Sequence, residues 1–236
     1  MASELIKAKL KAFGIHLGVS AIVFIGILYL IVFEWYPGIF MLAEGGWKGL
    51  TLMAAVDLVL GPSLTLIIYN YTKSRREVIL DFSFIIFIQV SALVWGGIQV
   101  YSERPVALVM WDGIFYTVTE DYFDSQGVSL KDIATYSDEH PLLILAESEQ
   151  SLEQLEELQR LNQENIPAYA QVHLYKSLKD NAEAVFRHQI SADVWSDYLS
   201  VDISNSEDRI FLGKAKYRDI LIHLDDDASL VRLTLR

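Results

Sequence analysis

The 236-residue chain contains no cysteine. That absence excludes a disulfide framework, thiol redox chemistry, and zinc or iron–sulfur centres held by cysteine. It is compatible with both the cytoplasm and the bacterial periplasm, so it assigns no compartment. Positive charge is also scarce. Nineteen Lys and Arg stand against 31 Asp and Glu, a formal net charge of −12. Nucleic acid is therefore not an expected partner, because phosphate neutralisation needs a basic patch. Catalytic signatures are missing too. The histidines His16, His140, His173, His188 and His223 are dispersed, without the H-E-x-x-H spacing of a zinc hydrolase. No G-x-S-x-G elbow, P-loop or G-x-G-x-x-G stretch occurs. Asp225-Asp226-Asp227 lacks the spaced ligands and terminal Glu of a calcium loop and reads as a solvated turn. The chain is expected to be neither an enzyme nor the holder of a cofactor or metal.

What the chain does have is an uneven distribution. The hydrophobic fraction is 52%, only slightly above that of ordinary soluble proteins. Residues 1–100 carry seven Lys/Arg and six Asp/Glu, a net of +1, and residues 101–236 carry twelve and twenty-five, a net of −13. The two parts together give the whole-chain −12. Three apolar runs lie in the first part, about 12–33, 49–71 and 82–100, each near the roughly 20 residues that a transmembrane helix needs. The first follows Lys7, Lys9 and Lys11 as a signal peptide would. Its apolar stretch is too long for a signal h-region, however, and no A-x-A-like site follows, so it reads as a retained anchor.

Orientation follows from the basic residues in short loops. Lys7, Lys9 and Lys11 precede the first run, and Lys73, Arg75 and Arg76 lie between the second and third. The loop between the first and second holds only Lys48. Both basic segments belong in the cytoplasm, and three crossings then carry the acidic C-terminal part to the periplasm. Asn70-Tyr71-Thr72 matches a glycosylation sequon, but at the expected cytoplasmic face it has no such role. The expected architecture is a three-helix transmembrane bundle, residues 1–101, followed by a small α+β periplasmic domain, residues 102–236, in a bacterial inner membrane.

The second run carries the polar exceptions Asp57, Gly61, Pro62, Ser63 and Thr65. An acid in hydrocarbon is costly, so Asp57 is expected to face helices, a partner or water. Two roles are open to it. It contacts a partner, or it sits near the outer interface, protonated or paired with Lys48, and packs the bundle. Gly61-Pro62 removes a backbone hydrogen bond and is expected to kink the helix, freeing a carbonyl for Ser63 or Thr65. Gln89 in the third run is a candidate hydrogen-bond partner for Asp57. Gly14-x-x-x-Gly18 and Ala92-x-x-x-Gly96 have small-residue spacing and are expected to pack within the bundle, with homodimerisation as the alternative. His16 is expected to be an interfacial polar residue.

In the acidic part, Asp112-Gly113 between residues 105–111 and 114–118 is a strong hairpin signal. Residues 141–146 read as a buried strand. Ser151-x-x-Gln154 reads as a capping box opening a helix whose Leu152, Leu155, Leu158 and Leu161 form a core face. Ser177-x-x-Asp180 opens a second expected helix with Leu178, Ala182, Val185, Phe186 and Ile190 on its apolar face. Residues 193–199 suggest a short third. Residues 209–218, 219–224 and 230–235 read as strands. Trp111 and Trp195 are candidate contact residues if exposed, though core burial is the ordinary fate of tryptophan.

The stretch Val56-Asp57-Leu58-Val59-Leu60-Gly61-Pro62-Ser63-Leu64-Thr65-Leu66, preceded by Lys9-Leu10-Lys11-Ala12-Phe13-Gly14-Ile15-His16-Leu17, resembles the TfpX/TfpZ family of type IV pilin accessory proteins. Asp81, Gln89, Ala92-Leu93 and Arg104-Pro105 also fit. The resemblance covers residues 5–118 and fades beyond, apart from Lys216-Tyr217-Arg218-Asp219. It implies a non-enzymatic inner-membrane protein that helps a cognate type IV pilin, the major pilin, accumulate or enter the pilus. The candidate partner-binding residues are Asp57, Gly61, Pro62, Thr65, Gln89 and Arg104. The alternatives are a membrane-anchored periplasmic sensor that binds a ligand instead of a pilin, and a small membrane enzyme or transporter using Asp57. Three helices with one acid make a poor translocation path.

Overall fold

A computed structural model describes residues 2–148, 151–190 and 208–236. The expected short helix at 193–199, with Trp195, lies outside the described residues. Helix α1 (Ala2–Tyr29) starts ten residues earlier than the apolar run, because Glu4, Lys7, Lys9, Leu10 and Lys11 are good helix formers. A π-helical turn, Leu30–Trp35, extends it. Together they give a 33-residue helix, Ser3–Trp35, apolar enough to cross a membrane. At about 1.5 Å per residue this exceeds a hydrocarbon core by several turns, so the basic first turns have room outside it. The helix stops at Tyr36, whose φ of −130° and ψ of 59° leave the helical region as the following Pro37 favours.

The second run is one 23-residue helix, Gly46–Ile68, in three consecutive pieces: α3 (Gly46–Ala54), a π-helical turn (Ala55–Leu60) and α4 (Gly61–Ile68). The short α2 (Phe40–Ala43) precedes it. The helix runs through Pro62 without a break. The wide turn directly before Gly61-Pro62 absorbs the missing N–H and the bulk of the ring. Thr65 is not spent on a freed carbonyl, since its hydroxyl meets His16. Beyond Ile68 the chain turns on Asn70, whose Oδ1 accepts from the backbone N–H and the hydroxyl of Thr72. The sequon is therefore occupied as a turn. Helix α5 (Arg75–Ser102) opens on a reciprocal cap, with Ser74 N–H donating to Glu77 and Glu77 N–H to Ser74.

The small-residue patterns divide. Gly96 faces Met53 of α3, 3.4 Å from a built Cβ. Gly14 and Gly18 face open space, so that pattern does not pack against the other described helices. Close approach occurs instead at Gly49 against Val100 and at Gly61 against Gln89.

The chain divides into two compact units, Met1–Gly38 with Gly46–Tyr101, and Ile39–Gly45 with Ser102–Arg236. The sequence suggested a single boundary near residue 101. In the structure the α2 segment joins the sheet unit, where Tyr217 N–H donates to Ala43 O at 2.8 Å and Lys216 N–H to Glu44 Oε1 at 3.3 Å. Gly45 has φ +81° with the Tyr217 ring where a Cβ would sit, so both its conformation and its size require glycine.

The sheet unit contains one seven-stranded mixed sheet. Strands β1 (Pro105–Trp111) and β2 (Ile114–Thr119) form the expected hairpin, with Asp112 and Gly113 both at positive φ. Strand β3 (Leu142–Ala146), wholly buried, lies parallel to β1, and β4 (Tyr175–Ser177) lies antiparallel to β3. On the other side β5 (Arg209–Lys214) lies parallel to β2 and continues into the meander β6 (Ile220–Leu224) and β7 (Leu230–Leu235). The order is β4-β3-β1-β2-β5-β6-β7. Asp225 closes the β6–β7 turn, its Oδ1 accepting from Asp227 and Ser229 N–H.

Helices α6 (Glu120–Ser125), α7 (Leu130–Ile133) and α8 (Leu152–Gln163) accompany this sheet. Phe123, Ile133 and Leu161 join Val109, Ile144 and Leu174 in its core, where Trp111 is partly buried. Ser151 Oγ caps α8 at Gln154 N–H. Only the C-terminal half of its leucine stripe packs: Leu158 and Leu161 reach the core, but Leu152 is 81% exposed and Leu155 39%. The expected helix from Ser177 forms in part, with the Ser177 hydroxyl accepting from Asp180 N–H and the helix ending at Phe186, short of Ile190. Residues 175–177 are claimed by β3, a 3-10 turn follows, and α9 covers only Ala182–Phe186.

Candidate functional site

His16 and Ser20 stand one helical turn apart on α1 and so share a face. The π-helical turn presents Asp57, midway along Gly46–Ile68, towards them. Thr65, eight residues on, projects from α4, and Gln89 completes the cluster from α5. His16 Nδ1 lies 2.6 Å from Thr65 Oγ1, and Nε2 lies 2.9 Å from Gln89 Oε1. Gln89 Nε2 donates to Asp57 Oδ1 at 3.1 Å and Ser20 Oγ to the same oxygen at 3.4 Å. Gly61 makes this arrangement possible, because a Cβ there would lie 1.9 Å from Gln89 Nε2.

Hydrogen-bond chemistry gives this chain a direction. Gln89 Oε1 only accepts, so His16 Nε2 carries a hydrogen. In the neutral ring Nδ1 then accepts from the Thr65 hydroxyl. Donation thus runs Thr65 to His16 to Gln89 to Asp57, and Ser20 adds a second donor at the end. Thr65 is fully buried, and Asp57 and Gln89 are 6% and 7% exposed. Asp57 Oδ2 is buried with no hydrogen-bond partner among the described residues.

Beside this cluster runs a groove of about 630 Å³. Its walls are Ile15, Val19 and Val23 of α1 and Ile86, Val90 and Leu93 of α5, and its polar lining is Lys11, His16, Ser20, Asp57, Tyr69 and Gln89. A smaller cavity of about 330 Å³ between α3 and α5 is apolar apart from Gln99.

Of the residues singled out from sequence, the structure brings together Asp57, Gly61, Thr65 and Gln89. Pro62 is buried in the same helix and shapes its path. Arg104 belongs to the other unit, where it pairs with Glu120 at 2.5 Å. His16 and Ser20 were missed as members of the cluster. Their signal was present, as two polar residues four apart in an apolar run.

The sheet unit holds a second concentration of polar groups around a cavity of about 710 Å³ walled by Glu44, Glu103, Asp121, Tyr116, Tyr169 and Lys216. Tyr116 and Tyr169 stack with ring centroids 4.2 Å apart. Burial raises the Tyr169 phenol to about 12. Burial is likewise the main cause that lifts Asp121, with Glu103, Asp124 and Glu120 adding repulsion. Glu44 is 7% exposed, and burial pushes its carboxyl up despite the Thr117 hydroxyl and the Lys216 N–H.

The folded chain therefore holds the Glu44 proton more tightly than the unfolded chain does. The linked stability is complete below the ordinary glutamate pKa of about 4.3 and is lost as pH rises through the raised folded value. Thermal unfolding of the full chain in detergent, from acid to neutral pH, is expected to show wild type losing ground to Glu44→Gln across that window. Parallel curves would show that no such proton is held.

Among the described residues no three His, Asp or Glu side chains are grouped to hold a metal ion. Comparison with known proteins finds relatives in Dichelobacter nodosus. The fimbrial assembly proteins of serogroup E1, of serogroups C1 and C2, and of serogroup I are each 42% identical to this chain over 99 residues, 42% of its length. Those residues make up 76% of the C1 and C2 protein but 38% of each of the other two. The match thus spans less than half the length of the E1 and I relatives. No family model matches the chain, and no solved structure matches it.

Proposed function

The chain belongs to the family of fimbrial assembly proteins, and from that premise we propose that it is an inner-membrane accessory protein that binds and stabilises a cognate type IV pilin and promotes its assembly into pili. Within the family we place it with the TfpX/TfpZ type of accessory protein. The observation that carries the proposal is the pairing of three membrane-length helices with a separate sheet unit in one chain of this family. A pilin subunit waiting in the inner membrane has an apolar helix in lipid and a globular head in the periplasm. A chain built in two matching parts has one surface for each: the helices shield the pilin helix, and the sheet unit holds the head.

The topology in this proposal follows from charge. Lys7, Lys9, Lys11, Lys73, Arg75 and Arg76 lie on the cytoplasmic side and the sheet unit in the periplasm. Purification of the full chain from detergent-solubilised membranes of cells that express the cognate pilin tests the proposal. Pilin is expected in the complex, and its cellular level is expected to fall when the accessory chain is deleted. An intact chain that never retains pilin would point to the sensor alternative, in which the sheet unit binds a ligand.

A further inference from the structure

We propose that the groove between α1 and α5 receives one face of a single transmembrane helix from the partner, and that a hydrogen-bond donor on that helix closes on Asp57 Oδ2; this rests on the membrane-spanning, pilin-binding reading above. Two independent observations meet at this place. One is a groove whose walls are apolar side chains at helical spacing. The other is the buried carboxylate of Asp57, a residue of the groove lining, whose Oδ2 has no hydrogen-bond partner among the described residues.

The direction of the hydrogen-bond chain determines the chemistry of the occupant. The neighbouring donors are already committed, Ser20 and Gln89 to Oδ1 and His16 to Gln89 Oε1, and none serves Oδ2. An unpartnered acceptor in a water-poor region is costly. A hydroxyl, amide or ammonium group arriving on the occupant relieves that cost, and another carboxylate adds to it. A lipid acyl chain has no donor and leaves Oδ2 as it was.

The dimensions point to a helix. The α1 wall runs from Ala8 to Val23, about 22 Å at 1.5 Å per residue, or some four turns. The volume is too small to enclose a whole helix of that length, so the groove takes a stripe and leaves the rest of the occupant in lipid. The outward apolar residues near it, such as Ile22 and Phe87, are well exposed and form the same kind of surface as the walls.

A photocrosslinking residue placed at Val19 or Ile86, on the groove walls, is compared with one at Ile25 or Ile98, which do not line it. The full chain is expressed in membranes together with the cognate pilin, in wild-type and Asp57→Asn backgrounds. Asparagine keeps the oxygen that Gln89 and Ser20 address but puts an N–H₂ donor in the place of the Oδ2 acceptor. Pilin is expected to crosslink from Val19 and Ile86 and not from Ile25 or Ile98. The yield is expected to fall about three- to eighteen-fold in Asp57→Asn, the span of single intramembrane hydrogen bonds. The proposal is overturned if the groove positions capture only lipid or a second copy of this chain. It is also overturned if Asp57→Asn crosslinks as wild type does. Pilin that co-purifies but crosslinks only outside the groove removes the groove proposal and leaves pilin binding standing. A complex without pilin removes both.

Discussion

Asp57→Asn is expected to accumulate in membranes at the wild-type level while the cells carry few pili. The folding half of this expectation follows from the position of the acid in its network. Its Oδ1 holds the bonds to Gln89 and Ser20, and asparagine retains that acceptor, so the internal cluster survives. The functional half follows from Oδ2, the oxygen left over. Interhelical hydrogen bonds in membranes average about 0.6 kcal/mol and reach about 1.7, or roughly three- to eighteen-fold in affinity. A loss at the upper end, applied to a subunit that must be held before each addition, compounds into sparse piliation. Asp57→Ala goes further, because it also strips the acceptor from Gln89 and Ser20, and its accumulation is expected to drop. Electron-microscopic counts of pili beside immunoblots of both proteins separate the two variants. If Asp57→Ala and Pro62→Ala, expressed at normal level, still support wild-type piliation, the intramembrane contact is not the mechanism.

Gly61→Ala reverses the usual sign of a helix substitution. Inside a helix, replacing glycine by alanine gains about 0.5 to 1 kcal/mol. Gly14→Ala and Gly18→Ala, where a Cβ meets open space, are expected to show that gain as a higher unfolding temperature in detergent. At Gly61 the new methyl falls 1.9 Å from Gln89 Nε2 and 2.4 Å from its Cδ. The end of a glutamine side chain ordinarily swings aside at little cost. This one is tied at Oε1 to His16 and at Nε2 to Asp57, so moving it breaks both links. Two such bonds amount to about 1 to 3 kcal/mol, which outweighs the helix gain. The variant is expected to unfold at a lower temperature than wild type, and an increase there would mean that the Gln89 links contribute nothing to stability.

The sequence was most readable where one local rule decides the outcome. Asp112-Gly113 needs positive φ at two successive residues and specifies its hairpin. The three apolar runs specify helices long enough to cross a membrane. A bond between Asp57 and Gln89 was foreseeable because both are polar residues in apolar surroundings. Local rules failed where tertiary packing chooses between equals. Gly14-x-x-x-Gly18 and the Gly61 position look alike on paper, yet only Gly61 lies against a neighbouring helix. The spacing of His16 and Ser20 puts them on one face of α1, but that this face meets Asp57 is decided by packing. The helical pattern from Ser177 starts on its expected cap but ends at Phe186, so Ile190 obeys the period without being helical. Leu152 and Leu155 obey the period of α8, but the core meets only its far end. Glu44 offered no signal at all, since its burial depends on Lys216 and Tyr217, more than 170 positions along the chain.

The clasp of Ile39–Gly45 onto the sheet unit has a practical corollary for anyone wishing to cut the protein apart. A fragment starting at Ser102 lacks the buried Phe40 and Ala43 and the backbone that receives Tyr217, and is expected to be less stable than the whole sheet unit. Those contacts belong to a loop that the chain makes between its first two long helices. A faithful excision needs that loop grafted back, for instance as a short peptide fused ahead of Ser102. The remaining helices would likewise need the gap between Gly38 and Gly46 bridged by a neutral linker.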